Sequence, residues 1–330
     1  MVWEDYHKYE RYGGTLHIRD FVKVVGWARR QGVWRKAFPT HLRQMILAKA
    51  VDDQELAALV ATADAEAVEH LKAIIARQSE RLAGAEATLA SGKPTKKAAE
   101  DKRVATKEIA KAEESLVRLW EDVPVTNEFG RIWPGWMAYV LATDPKTRER
   151  NIIPMIYRCR IPGWTPATLA KKPGTYNANR DSLTTAWRDV FGINHGLIVI
   201  RKFYESVPLH RNQGRELVPG ETEQKIEIYF EPSSGRELHI PCLWTWTPAT
   251  EEKGGYYSFA AITREPPPEV AAAGHDRCLI VLKPEYIDAW LDPSPAHKTE
   301  LLRILDDPQD ETFEHTRVLK VNDTPDDESV

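Results

Sequence analysis

The chain has 330 residues and a formal net charge of −4, which at about 100–200 residues per domain means one large domain or two ordinary ones. Hydrophobic residues make up 42% and charged residues 28%, enough apolar material for a real core, so collagen-like and wholly disordered chains are excluded. No apolar run approaches about 18 residues, and Met1-Val2-Trp3-Glu4-Asp5 is not a basic lead into an apolar stretch, so no membrane span or secretory signal is expected.

The three cysteines, Cys159, Cys242 and Cys278, are scattered and form no C-x-x-C pair. A reducing, cytoplasmic setting is expected, with no cysteine zinc site and no cofactor. Charge is unevenly placed. Residues 306–330 carry nine acidic and two basic side chains, leaving the rest of the chain at +3. A mildly basic body with an acidic C-terminal tail permits nucleic-acid binding without showing it.

In chain order, Tyr6, Tyr9 and Tyr12 sit at a helical spacing that Gly13-Gly14 ends. Phe21, Val22, Val24, Val25 and Trp27 suggest a second short helix with a buried face. Residues 53–121 are rich in Ala, Glu, Lys and Arg, with two glycines and one proline. Leu71, Ile75, Gln78, Leu82, Ala85 and Leu89 recur by fours and threes, as do Ala105, Ile109, Ala112, Leu116 and Leu119. With Ser91-Gly92-Lys93-Pro94 as the turn, the spacing predicts an antiparallel helical hairpin over 53–121. Its charged faces read as solvated or as a dock for a protein partner.

Beyond residue 125 the pattern changes to short β-rich runs separated by turn residues. They are Ile153–Tyr157, Gly196–Tyr204, Lys225–Phe230, His239–Trp246, Tyr256–Ile262 and Cys278–Leu282. This is an α+β pattern, mainly antiparallel, with flanking helices. Pro284–Leu291 reads as a short helix with Pro in its first turn, and the residues from Asn322 onward as a frayed end.

No phosphate-binding glycine loop, H-E-x-x-H or G-x-S-x-G is present. Four separated pieces carry chemistry. Arg160-Ile161-Pro162-Gly163-Trp164 places a Trp at the end of a Pro-Gly turn, suited to stacking an unpaired base or to closing the turn as a core residue. Tyr176-Asn177-Ala178-Asn179-Arg180-Asp181 offers two amides and a guanidinium to a polar ligand, or simply a turn. Phe203-Tyr204-Glu205-Ser206 puts a carboxylate at the end of an apolar strand. Partial desolvation there suits general acid–base work, and a solvated strand end is the plainer alternative. Gly274-His275-Asp276-Arg277-Cys278 puts an imidazole at a loop-to-strand junction, as a proton shuttle or a capped structural His.

In their order and spacing these pieces resemble the SRAP family (SOS response-associated peptidases). Those proteins crosslink to abasic sites in single-stranded DNA. The resemblance runs from about Ile153 to Asn322 and rests on Ile161–Trp164, Asn177–Asn179, Phe203–Glu205 and His275–Arg277. It implies one SRAP-like domain over 1–330 with the 53–121 hairpin as an insertion. It implies that Asn177 orients the N-terminal residue, that Glu205 moves protons in Met removal and imine formation, and that His275 serves the sugar oxygens. Arg160, Trp164, Asn179, Arg180 and Arg277 would face DNA.

In the family a cysteine follows the initiator Met. Its amine and thiol together close a thiazolidine on the abasic aldehyde, which needs both nucleophiles on one residue. Here position 2 is Val2, Asn179 stands where the family has arginine, Ser206 replaces the Trp after the glutamate, and Cys278-Leu279 replaces Met-Pro. Two explanations fit the missing cysteine: a start upstream of Met1, or a real loss. In the second, Val2 offers only an amine, and the alternatives are an inert single-stranded nucleic-acid-binding module or a scaffold. Cys278 is the one tempting substitute thiol, and a small core residue is the blander reading. The acidic tail is expected to compete with DNA for the basic surface.

Overall fold

The computed structural model describes residues 2–3, 7–16, 48, 51, 53–91, 94–120, 131–172, 174–248 and 255–318. The expected helix at Phe21–Trp27 and the end beyond Asn322 lie outside them. The chain divides into two compact units, one of residues 1–17, 130–247 and 257–330, the other of 18–129 with 248–256.

The second unit contains α2 (Gln54–Ala90) and α3 (Lys96–Trp120); α1 (His7–Glu10) belongs to the first. Asp53 caps α2 by accepting the Leu56 N–H at 3.0 Å, and Thr95 caps α3 by accepting that of Ala98 at 3.1 Å. The facing stripe is built on small residues: Ala85, Ala98, Ala105 and Ala112 are buried, with Gln78 on the same seam. Arg81 crosses to Asp101 and Lys102 to Glu86 on the exposed flank.

The first unit is a sheet that curls into a small barrel. Its strands are β1 (Val2–Trp3), β2 (Thr15–Leu16), β3 (Met137–Thr143), β4 (Arg150–Tyr157), β5 (Asn177–Asn179) and β6 (His195–Pro208). They continue with β7 (Lys225–Pro232), β8 (Leu238–Thr247), β9 (Tyr256–Arg264), β10 (Cys278–Leu279) and β11 (Phe313–Arg317). Neighbour pairings run β9–β4–β3–β6–β8 and back to β9, which closes the ring. Most pairs are antiparallel, while β2 and β9 lie parallel to β4, and β5 parallel to β9. The fold is α+β with a mainly antiparallel core, as the sequence predicts.

The strand β6 is the spine. Its first half, Leu197–Ile200, is buried on both faces and pairs with β8, which is why it reads as an unbroken apolar run. Its second half leaves the barrel and pairs with β7 instead, where Phe203 and Val207 are buried on the face that also carries Glu205. Gly196 allows the close approach of β3, since a Cβ there would lie 2.6 Å from Val140 Cγ1. Above this strand His195 stacks on Trp290 at 3.9 Å, and Trp290 Nε1 donates to the Gly196 carbonyl at 2.9 Å.

Several boundaries differ from expectation. The run Cys278–Leu282 pairs as a strand only over Cys278–Leu279; Ile280 and Leu282 still donate to Ile262 and His239 carbonyls but leave the ladder. Pro284–Leu291 is a 3-10 turn, Pro284–Tyr286, followed by α7 (Ile287–Leu291); α4 (Pro166–Lys171), α5 (Leu209–Asn212) and α6 (Pro268–Ala272) precede it. The acidic segment begins inside the fold: Asp306 ends α8 (Lys298–Asp306), and β11 pairs along β7. Its polar face hides the strand from pattern reading, because only Phe313 is buried.

Candidate functional site

Four chain segments converge at the far end of β6. β6 presents Glu205. β4 ends at Tyr157, and β5 lays Asn177 beside it against β9. The loop after α6 delivers His275. Gly274 makes that delivery possible: its φ of +97° is a left-handed conformation, and a Cβ there would meet the Asn212 nitrogen at 3.0 Å.

His275 Nε2 lies 3.1 Å from Glu205 Oε2, with 18% of the His and 22% of the Glu side chain exposed. His275 Nδ1 lies 2.7 Å from the Arg277 carbonyl. A carbonyl only accepts, so Nδ1 carries a hydrogen and donates. Nε2 then faces Glu205 either as an imidazolium N–H or as a lone pair receiving a carboxylic acid proton. Either way one proton is shared between the two side chains. Burial raises the Glu205 carboxyl above its usual range, and the neighbouring His275 opposes that rise. A carboxyl whose acid form is favoured by burial, with an imidazole opposite it, is suited to giving and taking protons.

Tyr157 extends the cluster. Its hydroxyl donates to Asn177 Oδ1 at 3.1 Å. Burial pushes its pKa well up, and the Glu205 charge adds to this, so it stays a neutral donor. Phe259 stacks on its ring at 5.0 Å. Pattern reading passed over Tyr157, since an aromatic ending an apolar strand looks like core; the one available signal was its place directly before the Arg158–Trp164 loop.

The N-terminal strand points the same way. Val2 pairs with Lys202 and Trp3 with Ile200. The antiparallel register therefore carries the chain start along β6 toward Glu205.

The residues expected to face DNA make the following contacts within the chain. Arg160 Nε donates to the Trp164 carbonyl at 2.7 Å, and the Arg160 N–H to Ser258 Oγ at 3.0 Å. Both bonds brace the turn at Gly163, whose φ is +80°, and leave Trp164 half-buried at its end. Asn179 caps a 3-10 turn by accepting the Asp181 N–H at 3.3 Å. Arg180 is clamped by Asp306 at 2.7 and 2.5 Å, and Arg277 reaches Glu265 at 3.4 Å. Thus each of these guanidiniums already has an oxygen partner. Cys278 lies close enough to feel Glu205, but it is buried and its thiol is pushed up to about 12 by that burial. It is a thiol and not a thiolate at neutral pH, which makes it a poor nucleophile.

Among the described residues, no helix is long and apolar enough to cross a membrane. Comparison with known proteins adds the following. A family model described as SOS response associated peptidase (SRAP) matches residues 99–324. A solved structure of a protein from Bordetella bronchiseptica is similar, with 19% identity and a TM-score of 0.44, over 60% of this chain and 90% of that one. A protein from Bacteroides thetaiotaomicron shows 14% identity and a TM-score of 0.42, over 56% of this chain and 74% of that one. No curated protein matches.

Proposed function

Because the chain belongs to the SOS response associated peptidase family, a DNA damage-associated family, we propose that it recognises abasic sites in single-stranded DNA at the Glu205–His275 pair. The observation that carries this is the 3.1 Å approach of His275 Nε2 to Glu205 Oε2, at the end of the strand along which β1 runs. An abasic sugar in its ring-opened form presents an aldehyde. The amine of a residue at position 2, once Met1 is removed, adds to that carbon to give a carbinolamine. Loss of water then gives an imine. Glu205, in its acid form, donates the proton that lets the hydroxyl leave as water. The iminium nitrogen left behind sheds its proton to His275 Nε2, which returns it to the Glu205 carboxylate. Asn177, held by the Tyr157 hydroxyl, positions the amine.

Val2 brings the amine without a thiol. With Val2 as the exposed terminus the adduct stops at the imine, which water reverses; the second-stage ring closure needs a thiol on the same residue. The valine also favours a second reading, in which the chain binds and forms no bond.

One experiment separates the two. The chain and its Val2→Cys variant are mixed with single-stranded DNA carrying one abasic site, with and without borohydride, and run on a denaturing gel. The expected result is a shifted band for the chain only after reduction, and a heat-stable band for Val2→Cys without it. If neither gives a band although both bind the DNA, the binding-only reading stands and the covalent one falls.

A further inference from the structure

A groove of about 650 Å³ opens directly beside His275. His210, Arg211 and Arg215 form one wall; His275, Asp276 and Glu265 form the other. None of the first wall belongs to the motifs above. It comes from α5 and the loop behind it, which intervene between β6 and β7. This wall is fixed to the catalytic loop. Asn212 Nδ2 donates to the Ala273 carbonyl at 3.0 Å, and a Cβ on Gly274 would sit 3.1 Å from Arg211 Cβ.

Two features of that wall call for a ligand. Arg211 is exposed, and among the described residues no carboxylate pairs with it, whereas Arg215 is held by Glu221 at 2.6 Å. His210 is only 7% exposed, and its Nδ1 has no hydrogen-bond partner. A buried polar atom without a partner is costly and needs one; a rotation of the ring that turns this nitrogen to the groove lets a bound group supply it. The opposite wall and Glu216 add carboxylates, which accept from amino groups and would repel a bare anion. A ligand with one phosphate and a hydrogen-bonding ring suits this mixed lining better than either part alone.

We propose that this groove receives the nucleotide adjoining the reacting sugar, with Arg211 on its phosphate and His210 and the carboxylates along its base edge. This rests on the abasic-site reading and adds a second point of grip to it. It places specificity for the neighbouring nucleotide outside the motifs that define the family resemblance.

The test is a double-mutant cycle in which one partner is the DNA. The chain and Arg211→Ala are titrated with single-stranded oligonucleotides carrying an abasic site, either flanked on both sides or cut back to the abasic sugar on one side at a time. Arg211 is exposed, so its truncation leaves the fold intact. Wild type is expected to lose about fivefold or more in affinity when one flank is removed. Arg211→Ala should show that loss already with the full strand and lose little more on cutting back, with a salt slope smaller by about 0.7, the share of one phosphate in a single strand. His210→Phe, which keeps the ring and removes both nitrogens, should weaken the full strand and leave the cut-back one unchanged. Affinity and salt slope unchanged in Arg211→Ala would overturn the groove. So would equal flank effects in the two proteins, since Arg211 would then act only as a distant charge. If the wild-type chain does not distinguish abasic from intact strands but the cycle still couples, the function reading fails and the groove stands. No binding at all would remove both.

Discussion

In the hairpin of α2 and α3 alanines line much of the buried seam, and apart from the buried Asp64 its charged side chains stay largely in water, some pairing across an exposed flank. In the barrel the same chain withdraws His195, Tyr157 and the environment of Glu205 from water, at a cost that each must recover through a specific partner. His195 recovers it from the Gly192 N–H at 2.8 Å and the Trp290 carbonyl at 3.2 Å. Burial pushes it down to about 3, so it is a neutral structural ring. His275 is different only in having an open side and a carboxylate opposite. The contrast teaches that burial by itself makes a histidine inert, and that chemistry needs a proton partner together with an approach from solvent.

The largest expected effect breaks the pair itself. Glu205→Gln keeps the shape and removes the titrating oxygen. The rate of borohydride-trapped adduct formation should fall by about 10²-fold or more, while the melting temperature holds; an unchanged rate would remove Glu205 from the chemistry.

Core truncation should separate the two regions. Trp290→Ala, at a fully buried ring, should cost the barrel about 3–5 kcal/mol in urea unfolding. Ala105→Gly, at the fully buried centre of the hairpin, should cost about 1 kcal/mol. Equal losses would mean that the hairpin and barrel melt as one and that the contrast is misplaced.

Acid sharpens the comparison. His195 and His239 are pushed down by burial to about 3 and about 4, so the native state resists protons that the unfolded chain takes up near pH 6.5. Their contribution is full above about 6.5 and is lost as pH falls toward 4, at up to about 1.4 kcal/mol per pH unit for each proton. Glu205 runs the other way: its raised carboxyl makes the native state bind a proton more readily, so stability falls as pH rises through its elevated range. Urea midpoints between pH 4 and 7, followed by near-ultraviolet dichroism, should drop on the acid side; a flat profile would contradict the buried neutral histidines.

The smallest effects are on the surface. Asp306→Asn releases Arg180 from its clamp and should raise affinity for single-stranded DNA by about twofold at low salt, with the gain vanishing at high salt. It tests the acidic segment while keeping β11, which a truncation at Asp306 would delete. Arg81→Ala, which removes an exposed pair with Asp101, should cost under about 1 kcal/mol in hairpin stability.

The hairpin and most strands were legible because their signals are local. Leu71, Gln78, Leu82 and Ala85 recur with the helical period whatever surrounds them, and Leu197–Ile200, β-branched at three of its four positions, is apolar enough to need two covered faces. β3 escaped because Met137-Ala138-Tyr139-Val140-Leu141-Ala142 is buried on both faces and shows no alternation, although Pro134-Gly135 and Asp144-Pro145 flank it as turn signals. β11 escaped because Phe-Glu-His-Thr-Arg gains its partner only from β7, about 80 residues away in the chain.

By itself, then, the sequence determined the two kinds of region, the runs that become strands, and the four pieces that resemble one family, since periodicity and residue type act over a few neighbours. It did not determine which guanidiniums remain open to a ligand. Only the tertiary structure turned Arg160 to a carbonyl and Arg180 to Asp306, left Arg211 exposed beside His275, sealed Cys278, and placed Nε2 opposite Oε2. Apart from the Arg160 turn, which closes over four residues, those outcomes depend on residues about 60 to 130 positions apart meeting in space, and desolvation and hydrogen bonding are set at that meeting.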